Sequence, residues 1–89
     1  MRFQLSHTHA YPGCRVTIAE EDVGDENLVE FSDGVLVPCR HRRDGPGIVL
    51  TIAAYRTSRG TKIDRKSWIL AADAAKGDWK IKARAPGDG

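Results

Sequence analysis

Ile48-Val49-Leu50-Thr51-Ile52-Ala53-Ala54-Tyr55 is the longest apolar run in the chain. As a strand it places Ile48, Leu50, Ile52 and Ala54 on one side and Val49, Thr51, Ala53 and Tyr55 on the other. Both sides are apolar or nearly so, which predicts a strand covered on both faces. Gly45-Pro46-Gly47 bars regular structure before it, and Ser58-Arg59-Gly60 offers a turn after it.

Shorter strands fit around this one. Arg2 to Ser6 alternates with Phe3 and Leu5 on one face, the pattern of a short edge strand. Cys14 to Glu20 alternates again, with Cys14, Val16 and Ile18 facing in. Leu28–Ser32 and Val35–Pro38 flank Asp33-Gly34, a dipeptide that accepts positive φ at both centres of a two-residue hairpin turn. Pro38 cannot donate to a ladder, so that strand is expected to stop there or lie on an edge. Cys39 to Gly47 reads as a basic loop.

The C-terminal part supports two readings. Ser67–Ala72 and Asp78–Arg84 form a hairpin around Ala75-Lys76-Gly77, with Trp79, Ile81 and Ala83 facing in and Lys80, Lys82 and Arg84 facing out. Alternatively, Asp64 caps a helix over 65–76 that Gly77 ends. The hairpin is the preferred reading, because the helix would set Ile69 in the middle of a charged face. The expectation is an all-β, mainly antiparallel domain over residues 1–84, a small SH3-like or OB-like barrel or roll, with 85–89 as a tail. The alternative is an α+β domain with the helix at 65–76.

Eighty-nine residues make one domain. A chain of that size buries only roughly 60–65% of its unfolded surface, so most of the Val, Ile, Leu, Phe and Trp must be core. No apolar run reaches the roughly 18 residues of a membrane span, and the first residues lack a signal-peptide pattern. A cytoplasmic location is therefore expected. Two cysteines are too few for a disulfide scaffold.

Charge is uneven along the chain. Glu20 to Asp33 holds seven acids and no base; Arg40 to Lys66 holds eight bases and two acids. Arg40, Arg42, Arg43, Arg59, Lys62, Arg65 and Lys66 are the candidate contacts to an anionic partner, because the arginine fork matches phosphate and carboxylate. Lys80, Lys82 and Arg84 extend the set, and Tyr55, Trp68 and Trp79 are candidate stacking residues. Nucleic acid leads as partner and an acidic protein surface follows. No phosphate loop or RNA-binding motif is present, and no cofactor is expected.

A third class of function rests on His7, His9, Cys14, Cys39 and His41, which are potential zinc ligands without finger spacing. Cys39 also sits among Arg40, His41, Arg42 and Arg43, a setting that lowers a thiol pKa. No orienting third residue or oxyanion site is legible, so the chain is expected not to be an enzyme.

Overall fold

The computed structural model describes residues 1–19, 26–73 and 78–86. The described residues form strands and no helix. Most of the apolar run from Ile48 forms β5 (Gly47–Ile52). Ile48, Leu50 and Ile52 join the core, while Val49, on the opposite side, is buried outside that core cluster. The strand stops at Ile52, short of Tyr55. Ala53 N–H makes a last bond to Pro38 O (3.0 Å), and Tyr55 then starts a separate hairpin.

The other strands are β1 (Arg2–Leu5), β2 (Arg15–Ala19), β3 (Leu28–Glu30), β4 (Leu36–Asp44), β6 (Tyr55–Arg56), β7 (Lys62–Ile63), β8 (Lys66–Asp73) and β9 (Asp78–Arg84). Seven of them close a barrel in the order β1-β2-β9-β8-β5-β4-β3, and β6-β7 form a two-stranded annex. The small all-β barrel expected from the alternating segments is thus what the chain forms. Its pairs are antiparallel except β1 with β3, which run parallel with Phe3 opposite Val29. That pair closes the barrel, so β1 is not the edge strand its sequence suggested.

Three local readings are corrected, and of the two readings of the C-terminal part the strand one holds. Residues 39–44 are strand, not loop: β4 runs through Pro38 to Asp44 and pairs with β5 from Cys39↔Ile52 to Asp44↔Gly47. Pro38 is tolerated because its missing donor falls where the β4–β5 ladder ends; its carbonyl still accepts from Ala53. The Asp33-Gly34 turn is not a two-residue one. Phe31 O accepts from Gly34 N–H (2.9 Å), Phe31 N–H reaches Val35 O (3.0 Å), and only Gly34 has positive φ (+90°). That is a type I turn ended by a left-handed glycine.

The helix over 65–76 does not form; β8 pairs along its length with β5 and β9. Trp68 and Leu70, two apart, both enter the core, which a strand allows and a helix does not. The even alternation of β9 is also broken. Ile69 pairs Ala83 but Leu70 pairs Ile81, so Lys82 is an extra bulge residue. Ala83 therefore joins the outer row of Ile69, and Arg84 stands opposite Trp68. The predicted turn at Ala75-Lys76-Gly77 and the acids at 20–25 fall outside the described residues.

The annex folds back over one end of the barrel. Tyr55 stacks on buried Phe31 at 5.0 Å and 25°. The Ser58 hydroxyl at the annex tip hydrogen-bonds the Asp33 carboxylate and holds its pKa below the ordinary value. Burial, and then the nearby Asp33 charge, raise the Tyr55 phenol.

Candidate anion-binding face

Register fixes which side chains share the outer surface of β4, β5, β8 and β9. Arg40 lies opposite Thr51, and Thr51 opposite Ser67. One row along, Arg42 lies opposite Val49, Val49 opposite Ile69, and Ile69 opposite Ala83. At the next step on the far side, Ala71 faces Lys80 and Lys80 faces Arg15. The middle of this surface is a floor of small and apolar side chains: Val49, Thr51, Ser67, Ile69, Ala71 and Ala83.

Long cationic side chains stand on both flanks. Arg40 and Arg42 rise from β4; Lys80 and bulged Lys82 rise from β9, with Arg15 beyond them on β2. All five are exposed. Three strand spacings of about 4.8 Å separate β4 from β9, so the flanks stand about 14 Å apart at the backbone. The floor is well ordered by its own contacts: Thr51 Oγ1 and Ser67 Oγ are 2.7 Å apart, and Ser67 is 1% exposed and Val49 3%.

The arginines on β4 are not neutralised locally. Among the described residues no carboxylate lies within ion-pair distance of Arg40, Arg42 or Arg43. Glu30, on the neighbouring β3, instead receives Arg2 (3.8 Å) and the Gln4 amide (3.0 Å) from β1. Asp44, Asp73 and Asp78 lie at one end of the face, the end where β4 meets β5 and β8 approaches β9.

The seven basic residues expected to act together are divided by the fold. Arg40 and Arg42 share the outer face, and Arg65, in the same alternation as Ser67 and Ile69, flanks its other end with a partner of its own. Arg43 alternates to the other side of β4, opposite Ile48. Arg59 is in the annex turn and Lys62 on β7. Lys66 faces inward opposite Ile52, half-buried, where it lines a cavity of about 60 Å³ with His9, Tyr55, Asp64 and Trp68. Arg15 was missed, although the inward Cys14–Val16–Ile18 pattern already turns it outward.

The stacking residues do not reach this face. Trp68 is a core residue, 7% exposed; Trp79 packs against the core; Tyr55 is taken by Phe31.

The thiol and metal readings are also revised. Burial pushes the Cys39 thiol up to about 11, opposite to the activation its arginine neighbours suggested. Its side chain points into the barrel, while Arg40 and Arg42 point out. Cys14 is buried against Ser6 (Sγ–Oγ 3.7 Å). His7 and His9 flank the Tyr11 ring, and His41 lies against Phe3 at 5.3 Å. Among the described residues no group of three or more His, Cys, Asp or Glu side chains is placed to hold a metal.

No protein-family model matches the chain, and no curated protein or solved structure matches it significantly. No helix among the described residues is long and apolar enough to cross a membrane.

Proposed function

We propose that this protein is a non-catalytic binding module whose β4-β5-β8-β9 face takes an anionic polymer, with nucleic acid as the leading partner. One observation carries the reading. Arg40 and Arg42 project side by side from one strand with no carboxylate in reach among the described residues. Lys80 and Lys82 stand across the floor of Val49, Thr51, Ser67 and Ile69. Contacts of this type go to phosphates rather than base edges, so they bind with little sequence preference. Among the described residues no aromatic side chain is exposed on this face, so the contacts available are to the backbone and not to stacked bases. The two free cysteines suit a reducing, cytoplasmic compartment.

Fluorescence anisotropy with a labelled oligonucleotide over a salt series tests this. The expected result is a linear fall of log affinity with log salt, from counterion release. Flat salt dependence, or no binding at low salt, overturns it. An acidic protein surface is the second reading. It is favoured by the fit of the arginine fork to carboxylate as well as to phosphate, and it is separated by competition between the oligonucleotide and an acidic polypeptide.

A further inference from the structure

β4 has nine residues and β3 has three. Along β4, β3 pairs only with Leu36–Pro38, and among the described residues the last link on that side is Cys39 N–H to Asn27 O, 3.1 Å. Main-chain groups alternate along a strand. The odd residues of β4 face β3, as the Cys39 bond shows; the even ones face β5, as the bond from Ala53 to Pro38 O shows. The N–H and C=O of His41 and Arg43 therefore point away from β5. Among the described residues no strand pairs with them there. Residues 40–44 are all exposed.

An open strand edge is a template for another strand, and proteins commonly guard it with charge. Arg40, Arg42 and Arg43 guard this one against a second copy of the chain, because a two-fold pairing of β4 with itself sets arginines against arginines. The same charges favour a strand of opposite sign.

We propose that the edge of β4 from Arg40 to Arg43 binds an extended acidic peptide of another protein as an added strand. The peptide main chain bonds His41 and Arg43. Its Asp and Glu side chains meet Arg40 and Arg42 on the outer side and Arg43 on the other, with charge-assisted contacts. Asp44 ends the cationic stretch, so the acidic part of the peptide spans about four residues, roughly 13 Å. This inference goes beyond the phosphate-binding reading and does not require it.

The test uses the full chain and a labelled peptide alternating Glu with Val or Thr. A second peptide of identical sequence is N-methylated at the residues that would donate to β4, which removes hydrogen bonds without changing charge. The expected result is that the unmodified peptide binds and that methylation weakens it by about tenfold or more, the scale of one or two net hydrogen bonds.

On the protein side, Arg43→Pro deletes an outward N–H while leaving the β5 ladder intact. It is expected to weaken the peptide by about tenfold more than Arg43→Gln, which removes only the charge. Oligonucleotide affinity, which rests on the outer face that Arg43 does not share, is expected to change little in either variant, which keeps the two readings separable. Equal binding of the two peptides overturns the proposal in favour of charge alone, and that outcome does not depend on Arg43→Pro folding. Failure of the acidic peptide to bind at low salt, or self-association of the chain through this edge in sedimentation, overturns it as well.

Discussion

Thr51 Oγ1 and Ser67 Oγ meet at 2.7 Å in the centre of the surface that Arg40 and Lys82 border. The pair lies on the outside of the barrel, yet Ser67 is almost wholly buried (1%). A hydroxyl so enclosed must keep its partner.

Ser67→Ala is therefore expected to destabilise the protein by about 1 kcal/mol, the net worth of the hydrogen bond it removes from a partly buried pair. Urea unfolding measures it. A change within about 0.3 kcal/mol would show that Thr51 finds an equivalent partner at once.

Arg40→Gln and Arg42→Gln leave the core untouched, so stability is expected to stay within about 0.5 kcal/mol. If each arginine neutralises a phosphate, each substitution lowers the magnitude of the salt slope by about 1. Anisotropy titrations at several salt concentrations give that slope. An unchanged slope removes both residues from the contact.

Cys39 gives a pH prediction. Its folded pKa, about 11, lies above the ordinary thiol value of about 8.5. The protonated thiol is the form the fold prefers, so its contribution is complete below about 8.5 and is lost as pH rises through about 11. Stability is expected to fall over that window in the wild type and to fall less in Cys39→Ala or Cys39→Val. Alkylation of Cys39 at about pH 8 should be much slower in the folded protein than in denaturant. Rapid alkylation of the folded protein would restore an activated thiol.

Gly47 is required for a steric reason. A Cβ there would lie 2.7 Å from the Leu70 carbonyl oxygen, which sits in the β5–β8 ladder and cannot move independently. Gly47→Ala is expected to cost about 1–3 kcal/mol through backbone displacement. Thermal or urea denaturation checks this, and a neutral result would mean that the strands separate more easily than their pairing implies.

How far the sequence could be read depended on whether a residue's environment was set by its near neighbours. β1, β2 and most of β9 were legible because each alternates between a wet and a dry side, and β5 because its run is apolar on both; both patterns are local. Gly34 and the prolines marked most of the breaks for the same reason. The strand character of residues 40–44 was hidden because β4 outruns β3. Beyond Cys39 no described strand pairs with β4 on that side, and residues 40–44 are all exposed, so His41, Arg42 and Arg43 carry no alternation to detect.

Composition and local pattern alone determined that this chain is a small all-β domain with its basic residues concentrated after Arg40. The tertiary structure alone decided that the parallel meeting of Phe3 with Val29 closes the sheet, that Lys82 is bulged, and which cations share a surface. These outcomes rest on contacts between residues far apart in the chain. Their geometry arises from barrel closure and strand register, and no short stretch of sequence contains it.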